Sequence, residues 1–255
     1  HTGWDHVWIK EHPEYYTKNE KGEIIDPINP ETGKTWGWTD VADLNYDNQN
    51  LRKEMTADMK YWLQKEGIDG FRCDYADFVP KTFWSDAITK LRKIKKNQNI
   101  LMLAEGTRVN HFEAGFDYTF GFNFFYTIEQ LFKENKSAVT IQESNTTEYA
   151  NNYNSENRVV RYTSNHDVNL SDGTPLELFG GKKGSVAMFV VAAYLKSIPM
   201  IYNGQEVGYD KRLNYFARTP IDWNTADNEM LAEYKKIIAF RNLAPPVFLA
   251  LPDIV

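Results

Sequence analysis

From Asn50 onward the chain alternates between two hydrophobic periods. Leu51, Met55, Met59, Trp62 and Leu63 recur at the spacing of an amphipathic helix, and Gly67 supplies its C-cap. The run from Ile68 to Tyr75 that follows predicts a strand. The same switch repeats down the chain. Helices are expected over Thr82 to Lys96, Phe124 to Asn135, Lys183 to Lys196 and Met230 to Asn242. Strands are expected over Asn99 to Ala104, Phe116 to Phe120, Val159 to Thr163 and Ile198 to Tyr202. The longest apolar run, Val186 to Tyr194, predicts a buried helix and is too short to cross a bilayer. Residues 1–50 differ: they are rich in Gly, Pro, Asn, Asp and Trp, lack periodicity, and predict a long loop-like segment.

Strands alternating with helices predict parallel βαβ units, an α/β fold. Five strands are counted, whereas a closed (β/α)8 barrel needs eight. Either three strands precede His1, or the sheet is open and doubly wound. A partial barrel would expose long sheet edges, which favours aggregation when such a piece is expressed alone. The expected division is a loop-rich excursion over 1–50 and barrel-type units over 51–255.

Three of the predicted strands end in an acid. Gly70-Phe71-Arg72-Cys73 leads into Asp74, and Leu101-Met102-Leu103-Ala104 into Glu105. Tyr162-Thr163-Ser164-Asn165-His166 leads into Asp167. In a strand, residues two apart share a face, so Arg72 and Asp74 face one way and Phe71 and Cys73 the other. A neighbouring cation favours the ionised carboxylate, the form a carboxylate nucleophile needs. Leu101 and Leu103 share the face of Glu105 and are expected to desolvate it, which favours an acid that keeps its proton. Taken singly, each motif has an ordinary structural explanation: an ion pair, a surface acid, turn chemistry.

Composition narrows the field. Of 255 residues, 42% are hydrophobic and 25% charged, ordinary for a globular protein. The net charge of −6 argues against nucleic acid or an anionic membrane as partner. Cys73 is the only cysteine, which excludes an internal disulfide and a metal held by a cluster of cysteines. The five histidines, at 1, 6, 12, 111 and 166, form no His-x-His or His-Glu-x-x-His pattern, which counts against a metallohydrolase. Seven Trp, 15 Tyr and 15 Phe include many in polar surroundings, such as Trp4, Trp8, Tyr15, Tyr16, Trp36 and Trp38. Flat apolar rings with polar edges suit sugars. There is no initiator Met or signal peptide, and a start at His1 inside a polar, aromatic run suggests a fragment or a processed segment.

The three acids, in this order, resemble the conserved regions of the α-amylase family of glycoside hydrolases (family 13). Two further segments resemble the same family: Ala42-Asp43-Leu44-Asn45, and Pro199-Met200-Ile201-Tyr202-Asn203-Gly204-Gln205-Glu206. His1-Thr2 resembles the end of its Asn-His motif after strand three. The resemblance implies strands 4–8 of a (β/α)8 TIM barrel, preceded by the excursion after strand 3. It implies a retaining glycosidase cleaving α-glucosidic, mainly α-1,4, bonds in starch-like glucans. Asp74 would be the nucleophile, Glu105 the general acid/base and Asp167 the stabiliser of the transition state. Arg72, His166, His1, Asn165 and Tyr75 would contact the sugar or orient the acids. No cofactor is required for the chemistry, and Asp43 is a candidate ligand of a structural calcium. The implied partner is an α-glucan oligo- or polysaccharide. A secreted, periplasmic or cell-surface location is expected, with a bacterial cytoplasm also compatible. Where many α-amylases have Lys-His after the nucleophile, this chain has Asp77 and Phe78. That departure leaves linkage specificity open to neopullulanase, glucosidase and transglycosylase types. A non-catalytic glucan-binding homologue is the other alternative.

Overall fold

The computed structural model describes residues 1–29, 32–94, 100–149 and 158–243. In chain order, the first elements are β1 (Thr2–Gly3), α1 (Trp8–Glu11), β2 (Val41–Ala42) and α2 (Gln49–Gln64). β3 (Gly70–Cys73), α3 (Lys81–Arg92), β4 (Leu101–Ala104), α4 (Asn110–Ala114) and β5 (Tyr118–Phe120) follow. Then come α5 (Phe122–Lys133), α6 (Val139–Tyr149), β6 (Arg158–Tyr162), α7 (His166–Ser171) and α8 (Pro175–Leu178). α9 (Lys182–Tyr194), β7 (Ser197–Met200) and α10 (Asn228–Leu243) close the series.

β3 to β7 form one sheet in the order β3-β4-β5-β6-β7, and β1 pairs antiparallel with β2 in a second. The pairs β4–β5, β5–β6 and β6–β7 are parallel. Each new strand joins the same edge. A doubly wound sheet reverses its strand order at a switch point; this one does not. The sheet is therefore singly wound, as in a (β/α)8 barrel, and carries five of its strands.

The backbone divides into two compact units. One comprises His1–Phe71, Tyr75–Met102 and Glu113–Gly115; the other comprises Arg72–Asp74, Leu103–Phe112 and the chain from Phe116. In the first, the segment without periodicity is more ordered than its composition predicts. Isolated bridges join Tyr16 to Leu44, Lys18 to Ile24 and Ile28 to Thr35, over a core of Tyr15, Tyr16, Ala42, Leu44 and Leu51. Asn48 caps α2, its side chain accepting from the backbone N–H groups of Asn50 and Leu51. Leu51, Thr56, Met59 and Leu63 are the buried residues of α2. Trp62 was expected among them but is 50% exposed. Leu63 takes the inward position, and one residue along a helix is a turn of about 100°. In the same unit β3 and β4 approach closely. A Cβ added to Gly70 would lie 1.9 Å from the backbone oxygen of Leu101.

In the second unit, Phe120, Phe124, Phe125, Ile128, Val160, Tyr162 and Phe179 belong to one core. Phe189, Ala193, Met230, Tyr234 and Ile237 join α9 to α10 in another. Each such side chain contributes roughly 1.5–3 kcal/mol by leaving water. α9 buries Ser185, Phe189, Ala192 and Ala193, as its apolar run predicts. α6, α7 and the short α1, α4 and α8 have no counterpart in the hydrophobic pattern. α6 docks on β6 through a buried charge. Arg161 is wholly buried; its Nε and Nη2 donate to Glu148 at 3.0 and 2.5 Å, and Nη2 also to Asn145 Oδ1 at 2.8 Å. Its Nη1 donates to the Leu195 carbonyl, and the guanidinium lies 5.0 Å over the ring of Phe124. Residues 95–96 and Asn99, the ends of an expected helix and strand, fall outside the described residues.

Candidate active site

Asp74, Glu105 and Asp167 all fall in the second unit; Asp74 and Glu105 directly follow β3 and β4, and Asp167 lies in α7 after β6. The alternation of β3 is as predicted: Cys73 is buried while Arg72 and Asp74 are exposed. Arg72 Nη1 donates to Asp74 Oδ1 at 2.6 Å, and its Nη2 pairs with Glu105 Oε1. One planar guanidinium thus holds two carboxyls from adjacent strands, the forked recognition to which arginine is suited. The two near oxygens are no farther apart than one guanidinium and two hydrogen bonds allow. The backbone fixes the same register, because the Glu105 N–H donates to the Cys73 carbonyl at 2.9 Å. Glu105 is the more enclosed acid, its side chain 12% exposed against 51% for Asp74. Leu101 does not supply that enclosure; it is 48% exposed, because Met102 and Ala104 occupy the buried face of β4.

Asp167 enters by a helix rather than a turn. Asn165 is buried and caps α7, its Oδ1 accepting from the Val168 N–H at 2.9 Å. That places Asp167 in the first turn, where the helix dipole favours a negative charge. Tyr215 donates its hydroxyl to Asp167 Oδ1 at 3.1 Å, and His166 lies 3.5 Å from the same oxygen. The His166 and Tyr215 rings meet edge to face, 5.2 Å apart. No motif marked Tyr215. Its only sequence signal is an aromatic pair, Tyr215-Phe216, in a polar loop, and Phe216 is 71% exposed.

Tyr162 lies at the end of β6. It is fully buried, and its hydroxyl has no hydrogen-bond partner among the described residues. Burial raises its pKa first; Tyr126, Glu105 and Asp167 raise it further. Tyr202 is likewise raised by burial and then by Asp167. Cys73, on the opposite strand face, has its thiol pushed up to about 12, mainly by burial. We expect no reaction with a thiol reagent at neutral pH in the folded protein and one equivalent after denaturation; rapid labelling of the native chain would contradict this packing.

The remaining expected site residues lie in the first unit. Tyr75 adopts a left-handed backbone conformation, φ 49°, directly after Asp74, a strained geometry of the kind found at functional sites. Its ring stacks on Phe78 at 4.0 Å and meets Trp38 edge-on at 5.2 Å. Its hydroxyl is pushed up to about 12, chiefly by burial. Trp36 stacks on Trp38, and His1 meets Trp38 at 6.3 Å. Phe78, the departure noted in the sequence, thus extends a row of rings. Asp43 sits beside β2, its backbone bonded to Ile25 and Thr17. Among the described residues no three His, Cys, Asp or Glu side chains gather as a metal site.

Comparison with known proteins agrees with this arrangement. The model of the family described as alpha amylase, catalytic domain, matches residues 35–242. Alpha-amylase 2 of Dictyoglomus thermophilum is 24% identical over 84% of this chain and 40% of its own length. An alpha-1,4-glucan:maltose-1-phosphate maltosyltransferase of Bifidobacterium animalis is 31% identical over 40% of this chain and 13% of its own. The crystal structure of a maltogenic alpha-amylase from Thermotoga neapolitana superposes with a TM-score of 0.79 at 23% identity, over 94% of this chain and 52% of that one. The chain thus spans less than half the length of these two sequence relatives. With the family's catalytic-domain model matched over most of its length and its barrel strands in sequential order, the chain belongs to the α-amylase family.

Proposed function

We propose that the protein is a retaining glycosidase that cleaves α-glucosidic, mainly α-1,4, bonds in starch-like glucans. The observation that carries this reading is the sharing of Arg72 by Asp74 and Glu105. A retaining mechanism needs two carboxyls about 5–5.5 Å apart, whereas an inverting one leaves room for a water between them. In the first step an Asp74 oxygen bonds to the anomeric carbon as the glycosidic bond breaks, and Glu105 gives its proton to the departing oxygen. In the second, Glu105 takes a proton from water, whose oxygen displaces Asp74 and restores both acids. Asp167, held by Tyr215 and His166, binds ring hydroxyls and balances the positive charge that develops on the sugar. Arg72, bonded to both, fixes the orientation of the two carboxyl groups.

The test is the anomeric configuration of the first product from maltotriose, starch and pullulan. Retention is expected, with maltose and glucose among the products; an inverted first product overturns the covalent route. The maltosyltransferase similarity favours one second reading, transfer of the glycosyl group to a sugar hydroxyl instead of water. Products longer than the substrate would identify it.

A further inference from the structure

Away from the three acids, α5 and α6 border a groove of about 360 Å³. That volume lies in the ordinary range of small-ligand sites, roughly 300–1,000 Å³. Tyr126, on α5, lines it with half of its surface exposed. Asn123 and Gln130 add amide groups from the same helix. Across the groove stands Ser144 of α6. It is 7% exposed, yet its Oγ has no hydrogen-bond partner among the described residues. A buried hydroxyl left without a partner is destabilising, so this one is suited to a partner brought from outside. Lys136 and Glu143 contribute one charge of each sign to the lining, and Lys136 already donates to Gln130 Oε1 at 2.7 Å. The balance suits a neutral ligand rather than an ion. A ring face, two amides and an open hydroxyl are the groups that recognise a polyol.

We propose that this groove is a second carbohydrate site, which takes a segment of an α-glucan chain with Tyr126 as the stacking face and Ser144, Asn123 and Gln130 as hydrogen-bonding partners. The choice of an α-glucan rests on the glycosidase reading; the affinity for a neutral polyol does not. Burial raises the pKa of Tyr126, and the carboxylates of Asp172, Glu129 and Asp167 raise it further. A long chain engaging both places gains affinity from the second contact once the first is made.

Titration calorimetry on the Asp74→Asn protein tests this, with maltoheptaose and maltotriose as probes. Tyr126→Ala and Asn123→Ala are expected to weaken maltoheptaose binding between about two- and tenfold, the range of one aromatic contact, and to leave maltotriose unchanged. Both positions are exposed, so neither substitution opens the core. Unchanged maltoheptaose affinity in both variants, or no binding by the Asp74→Asn parent, overturns the proposal. Equal affinity for cellohexaose, lost in the same variants, overturns the α-glucan assignment. Catalysis is read separately on the parent sequence. Groove binding without turnover would defeat the glycosidase reading alone, and turnover without groove binding would defeat this one alone.

Discussion

Replacing Asp74 by Asn is expected to lower kcat on maltotriose by roughly 10⁴-fold or more, as when the nucleophile of other covalent hydrolases is removed, while leaving the substrate bound. The amide keeps the shape of the carboxylate, and its oxygen can still accept from Arg72 Nη1. It cannot form a stable ester with the anomeric carbon. Stopped-flow or single-turnover assays should therefore show no burst, and affinity should stay within a few-fold of the parent. Full turnover in the Asn variant would remove Asp74 from the chemistry. The companion change, Glu105→Gln, should cost about 10²–10⁴-fold, the span of general acid–base catalysis. It should cost less on substrates with a good leaving group, which need no proton.

The largest stability effect is expected at Glu148. Its carboxylate receives two donors of the wholly buried Arg161. Glu148→Ala leaves that guanidinium with Asn145 and the Leu195 carbonyl but no counter-charge. Breaking a buried ion pair by removing one partner costs about 3–5 kcal/mol, enough to unfold a marginal domain. Chemical denaturation should show the midpoint falling with the slope unchanged. A double change that also replaces Arg161 by Met should recover part of the loss, because the desolvated charge is then gone. A loss below about 1 kcal/mol for Glu148→Ala alone would mean that water reaches the pair.

These two sites differ in how far the sequence reveals them. Asp74, Glu105 and Asp167 are legible because each follows a strand-like run, and strand ends in an α/β fold converge on one face. The five strands are legible for the same reason: Val, Ile, Leu and Phe in short blocks between turn residues. α6 was missed because its sequence, Val-Thr-Ile-Gln-Glu-Ser-Asn-Thr-Thr-Glu-Tyr, has too few apolar residues to show a stripe. Its buried face is Ile141, Ser144, Asn145 and Tyr149, and its anchor is a charge on β6. Periodicity detects apolar burial and is blind to polar burial. α7 was hidden inside Asn-His-Asp, where residue chemistry indicated a turn; the same Asn that favours turns also favours a cap. Tyr215 escaped because its partner lies 48 positions away, a distance no local pattern spans.

The close approach at Gly70 bears on how such a site survives sequence drift. At that point β3 and β4 meet main chain to main chain, with no side chain between them. Four residues on, each strand delivers its acid. The interval between Asp74 and Glu105 is thus inherited from backbone hydrogen bonding rather than from a particular set of packed residues. Lineages can exchange Phe71, Met102 or Leu103 for other apolar residues and keep the two carboxyls at the same interval, provided position 70 stays bare. A fold shared at 23% identity with a Thermotoga enzyme is the kind of divergence that such an arrangement can absorb.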